Sequence, residues 1–277
     1  MTTYVFRLPR IRTQRIAFLL VYPVLAGSCL LISLCDIASL HNAIPSMFTV
    51  GDLGIDWTII PALALLLWFS SNAFIPFKLN LQRAMFMGIF LGVCLGSFVL
   101  YTRATHSAGN ALGFLLLGLK EEAVYRVALP IAIAFLFTTI GISRKWAFRS
   151  SIILSALVFM TLPGHLAQVQ RWPELLVFGA FALIMSYFTW ECGAVIFAGV
   201  LHASMNVITE LERQGSASVA MRVGVVFILV MALTAALPTR QEAAEESPDN
   251  DDDGVVIDLR DHVLAQQKAA ELQKTGN

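Results

Sequence analysis

The sequence predicts an all-α membrane protein, a bundle of about eight transmembrane helices. Three observations predict it. The 277 residues are 57% hydrophobic and only 14% charged, against about 25% charged in a soluble domain. The charges crowd at the ends, so the 223 residues from 16 to 238 hold twenty of them, too few to coat a water-facing surface. Apolar runs close to the ~20 residues that cross ~30 Å of hydrocarbon recur along that stretch. This composition excludes a disordered chain, a disulfide scaffold and an ordinary cytosolic enzyme. The formal net charge of zero implies no bulk electrostatic partner such as nucleic acid.

Residues 1–15 form a basic N-terminus with Arg7, Arg10, Arg12 and Arg15. The first span, 16–34, is long enough to cross a bilayer rather than serve as the short apolar core of a signal peptide. Further spans are expected at 57–75, 84–102, 111–140, 147–163, 173–190, 193–208 and 219–237. The fourth is overlong, as a short helix joined to a span would be. Only helices fit, because lipid-exposed backbone must satisfy its own hydrogen bonds. The domain 16–238 is followed by an acidic soluble tail, 239–277, with ten acids and four bases. Cys29, Cys35, Cys94 and Cys192 lie in or beside apolar runs without a CxxC pair and read as small buried side chains.

Lysine and arginine in the loops set the orientation. Lys78 and Arg83 follow the second span, and Arg144, Lys145 and Arg149 follow the fourth. The loop before the second span has Asp36, Asp52 and Asp56 and no base. Both termini are therefore expected in the cytoplasm, with the protein in the cell's inner membrane.

An ionisable group inside a span costs at least ~2.5 kcal/mol on insertion scales and needs a reason. Glu121, Glu122 and Arg126 lie in the run LLLGLKEEAVYRVALP, His202 lies within a span and His165 at the end of one. Glu122 and Arg126 are spaced i, i+4, on one helical face, where carboxylate and guanidinium support each other. Glu121 points about 100° away, with Tyr125 at i+4, and is free to act as a general base on water. His202 and Asn206 share a face with Gly199, which lets another backbone or a substrate approach. Together they offer two hydrogen-bond donors to one point, as an oxyanion needs. The alternative for each is polar glue between helices.

Glu121-Glu122-Ala-Val-Tyr-Arg126 matches an EExxxR motif, and His202-Ala-Ser-Met-Asn206 matches HxxxN, with His165 ending a span between them. On these motifs, within 109–210, the chain resembles the CPBP family of intramembrane glutamic endopeptidases, which includes the type II CAAX prenyl proteases and the bacteriocin-processing Abi proteins. The family's middle motif is usually FxxxH. Here the position four before His165 is Thr161, and the nearest phenylalanine is Phe159.

The resemblance implies a polar intramembrane cavity and glutamate-dependent hydrolysis of a peptide bond in a membrane-associated protein or peptide. Glu121 would activate water, His165 would position or deprotonate it, and His202 and Asn206 would stabilise the oxyanion. Glu122 and Arg126 would support the first motif. No cofactor is expected. A zinc site built from Glu121, His165 and His202 is the alternative, but the histidines lack HExxH spacing. The rival readings are a non-catalytic membrane scaffold or bacteriocin-immunity protein of the same fold, and a proton-coupled carrier. No inverted repeat of broken helices supports the carrier.

Overall fold

The computed structural model describes residues 46–56, 58–73, 80–166 and 172–239, with Gly27 and Glu242. The run 16–34 apart from Gly27, the cysteines Cys29 and Cys35, and the tail from 240 apart from Glu242 lie outside the described residues.

The chain opens with a hairpin of β1 (Ser46–Val50) and β2 (Leu53–Asp56). It continues through α1 (Ile59–Ala73), α2 (Leu81–Thr105), α3 (Ala108–Glu122), a π-helical turn (Ala123–Ala128) and α4 (Leu129–Thr139). Then come α5 (Arg144–Met160), the short α6 (Pro163–Leu166), α7 (Trp172–Trp190), α8 (Val195–Arg213) and α9 (Val219–Ala236). The apolar runs expected from 57 to 237 each coincide with helix. Four stretches are long and apolar enough to cross a membrane: α2, the continuous run Ala108–Thr139, α8 and α9. The outward faces of α2 and α9 are apolar, with Leu81, Met85, Leu95, Phe227 and Met231 exposed.

The hairpin departs from the all-α expectation. Its two-residue turn begins with Gly51 at φ 64°, the conformation such turns assign to glycine. The turn rests on the start of α3: the Asp52 N–H donates to Asn110 Oδ1 at 2.6 Å and Asn110 Nδ2 donates to Asp52 Oδ2 at 3.0 Å. A Cβ on Gly109 would lie 2.7 Å from the Gly51 nitrogen, so glycine is needed on both sides of this contact.

Helix starts follow their caps. Asn80, Ser107 and Ser218 each accept a backbone N–H three residues on, at the heads of α2, α3 and α9. Inside the apolar helices, Ser97, Ser186, Ser204, Thr209 and Thr234 donate to the carbonyl four residues back, which spares the bilayer an unsatisfied hydroxyl. The π turn has a covalent cause. Pro130 supplies no N–H, and its ring crowds the carbonyl four residues earlier. The backbone widens, and Leu129 N–H bonds Val124 O, five residues back.

In hydrocarbon, helices associate through close packing rather than through the hydrophobic effect. The tightest crossing is α3 on α8. A Cβ on Gly118 would meet Ala203 N at 2.9 Å and Gly199 O at 3.0 Å, and one on Gly199 would meet Leu119 Cδ2 at 2.7 Å. The backbone expected to approach Gly199 is thus that of α3. One apolar core joins α1, the π turn, α5 and α7 around Phe69, Val127 and Phe159. A second joins α2, α7, α8 and α9 around Phe90, Met185 and Leu201, and buries Cys94 and Cys192.

Candidate functional site

The α3–α8 crossing brings the end of α3 against the middle of α8, and with it residues 80 positions apart. The His202 ring lies between the two glutamates, Nδ1 2.9 Å from Glu122 Oε1 and Nε2 3.4 Å from Glu121 Oε2. Glu122 also faces Arg126, with Nε 3.5 Å from Oε2. Glu122 and Arg126 are fully buried and His202 is 1% exposed. The Glu121 side chain, in contrast, is 29% exposed. The two carboxylates therefore divide: Glu122 sits inside the protein between a guanidinium and an imidazole, and Glu121 reaches a surface.

An ionised carboxylate only accepts hydrogen bonds. Glu122, facing the Arg126 guanidinium, takes the Nδ1–H of His202 and fixes the ring's orientation, with Nε2 turned toward Glu121. Both ring nitrogens thus face carboxylates, whereas the oxyanion role expected of His202 with Asn206 needs a ring N–H aimed at the substrate. Asn206, one turn further along α8, is half-buried.

His165 comes from the broken end of α5. That helix stops at Met160, Thr161 and Leu162 turn, and Pro163 opens α6, as the Pro163-Gly164 pair leads one to expect. The bend carries the His165 ring back over α5, where its Nδ1–H donates to the Phe159 carbonyl at 2.6 Å. Its other face stacks on Phe178, with centroids 5.7 Å apart and planes at 23°.

Phe159 is the centre of the site, a place that no motif spacing gives it. Its ring lies 4.3 Å from that of His165, 5.6 Å from His202 and 5.4 Å from Tyr125. The Arg126 guanidinium carbon stands 4.3 Å over its face, a cation–π contact in a desolvated setting. The spacing of the middle motif points to residue 161. There, however, Thr161 is exposed and its hydroxyl donates to the Leu157 and Val158 carbonyls. The aromatic contact to His165 comes instead from six residues back, because the helix breaks between the two.

Beside Glu121 lies a cavity of about 70 Å³, lined by Leu117, Lys120, Glu121, Val124, Tyr125 and Leu162. That is room enough for water. The histidines and Asn206 are not on its wall. Lys120, only 9% exposed, is a second buried cation, whose signal in the sequence is a lysine within an apolar span. His165 and His202 each have Nδ1 held by an acceptor, as ligating histidines do. Among the described residues, however, no three His, Cys, Asp or Glu side chains come together as a metal site requires.

A scan against protein-family models finds no match, and searches of curated proteins and of solved structures find none either.

Proposed function

We propose that the chain is an intramembrane, glutamate-dependent endopeptidase that hydrolyses a peptide bond in a membrane-associated protein or peptide, as the CPBP family it resembles does. The observation that carries this reading is the pairing of Glu121 with both a water-sized cavity and the Nε2 of an oriented histidine. Glu121 takes a proton from a water in the cavity, and the hydroxide attacks the scissile carbonyl carbon. The proton passes to His202 Nε2, whose imidazolium is stabilised by Glu122, in the way a buried carboxylate serves a catalytic histidine. His202 then protonates the departing amine as the C–N bond breaks. Asn206 donates to the oxyanion. His165 lies off the cavity wall; pinned through Nδ1, it keeps Nε2 for the water as that water leaves the cavity to attack. Arg126 is the counter-charge that holds Glu122 in place.

The non-catalytic scaffold is favoured by one observation, the closure of His202 between two carboxylates at 1% exposure, which also suits a structural polar network.

One experiment separates the two. Membranes from cells holding the intact chain or Glu121→Gln at equal levels are compared by peptide mass spectrometry. The protease reading expects membrane-associated peptides to accumulate uncut in Glu121→Gln; identical profiles would contradict it.

A further inference from the structure

The head of α5 gathers positive charge at the end of a helix that disfavours it. The stretch 140–150 holds Arg144, Lys145 and Arg149 and no acid, and all three bases are exposed. Lys145 and Arg149 are spaced i, i+4 and share a face, with the Arg149 guanidinium carbon 5.9 Å from the exposed Trp146 ring. A helix N-terminus already carries about half a positive charge, so cations in its first turns are unfavourable and an anion is favourable. Ser143 makes no side-chain cap there, and the first turn has no acid of its own. Arg144 and Lys145 also make other contacts. What the head presents is therefore its summed charge rather than any single donor.

The chain carries the complementary charge itself. Residues 241–253 hold seven acids and no base, and they leave the bundle on the same side. Phe148, in the second turn of α5, packs on Trp190 at the end of α7 with ring centroids 4.8 Å apart. From there α8 runs away and α9 returns, so α9 ends on the face where α5 begins. The exit is held in place. Thr239 N–H donates to Glu242 Oε2 at 2.8 Å and Glu242 N–H donates to Thr239 Oγ1 at 3.3 Å, a reciprocal capping box. Glu242 lies within electrostatic range of the Tyr187 hydroxyl, about one turn before Trp190. Residues 243–253 reach at most about 36 Å when extended, which covers the step from Tyr187 past Trp190 to Phe148 and Arg149. We propose that the head of α5 is the docking surface for this acidic segment, with Glu245, Glu246 and the run from Asp249 lying against Lys145 and Arg149. Tethering favours it over a free anion, because a short linker holds it at roughly millimolar effective concentration. The same acids repel anionic lipid headgroups from the patch. Docked there, the segment ties the end of α9 to the start of α5, the helix that leads to Phe159 and His165. This docking does not depend on the chemistry proposed for Glu121.

The test uses the intact chain, in detergent and in vesicles containing photoactivatable phosphatidylglycerol. A water-soluble carbodiimide, which joins touching carboxylates and amines, should link Lys145 to residues 245–253. The yield should fall near 1 M salt, where the screening length is about 3 Å. In a mixture of isotope-labelled and unlabelled chains these links should join residues of one chain. A protease that cuts at aspartate should cleave within 249–253 about 2–30-fold faster in Lys145→Glu with Arg149→Glu than in the parent chain, the range for two exposed ion pairs. Adding Glu245→Lys and Glu246→Lys to that variant should slow the cut again, which a merely misfolded head would not do. Equal cutting of the parent and charge-reversed chains, or links that join different chains, would overturn the proposal. Lipid labelling of 144–149 that charge reversal abolishes while tail cutting stays unchanged would also overturn it, and would make a lipid headgroup the occupant.

Discussion

Replacing Glu122 by alanine removes one carboxylate from two buried partners at once. His202 Nδ1 loses its acceptor at 2.9 Å and Arg126 loses its counter-charge at 3.5 Å. Neither partner reaches water, since Arg126 is fully buried and His202 is 1% exposed. Breaking a buried ion pair by deleting one member costs about 3–5 kcal/mol, mostly from the charge left behind. The lost histidine hydrogen bond belongs to the same network and does not add in full. At about 2–4 °C per kcal/mol for a chain of this size, Glu122→Ala should lower the Tm in detergent by roughly 6–20 °C. Glu122→Gln keeps an oxygen for His202 and should lose less. Adding Arg126→Met to Glu122→Gln removes the stranded cation and should recover much of the loss, because an apolar replacement for a whole buried pair is often neutral. The assay is thermal unfolding followed by tryptophan fluorescence, with size-exclusion profiles as a check. A Tm for Glu122→Ala within about 1 °C of the parent chain, on the same scale, would refute the claim that Glu122 holds the site together.

Gly118→Ala places a methyl 2.9 Å from Ala203 N, and overpacking of this kind costs about 1–3 kcal/mol; it should lower Tm and activity together, while Gly224→Ala, which meets nothing within 4 Å, should change neither. Proteolysis should survive exhaustive chelation and dialysis; loss of activity that zinc restores, with bound zinc absent from His165→Ala and His202→Ala, would instead make those histidines ligands. A phosphatase reporter fused after Gln170 should be active, because the loop charges put that loop outside the cytoplasm; an inactive fusion, with the chain inserted, reverses the orientation.

Much of the helical framework was legible because its signal is long. Runs such as 84–102 and 219–237 need only composition and length, and α2 and α9 fall on them within a few residues. The hairpin was not legible, since strands of five and four residues between apolar runs give too little pattern and are fixed by contacts to Asn110 and Gly109. At the site, the i, i+4 spacing of Glu122 and Arg126 correctly put them together, even across the start of a π turn. The placement of His202 between the carboxylates depends on the α3–α8 crossing, which local spacing cannot supply. Phe159 was missed for a related reason. A spacing rule assumes one continuous helix, and Thr161-Leu162 interrupts it. Lys120 was legible, since a lysine in an apolar span needs a reason.

The most direct measurement follows the oxygen of water. The purified chain, reconstituted with a peptide substrate in water enriched in ¹⁸O, should place one ¹⁸O in the new C-terminal carboxylate. Glu121→Gln, folded and of unchanged Tm, should slow that incorporation by about 10²–10⁴, as loss of a general base does. Incorporation by Glu121→Gln at the parent rate would contradict the account.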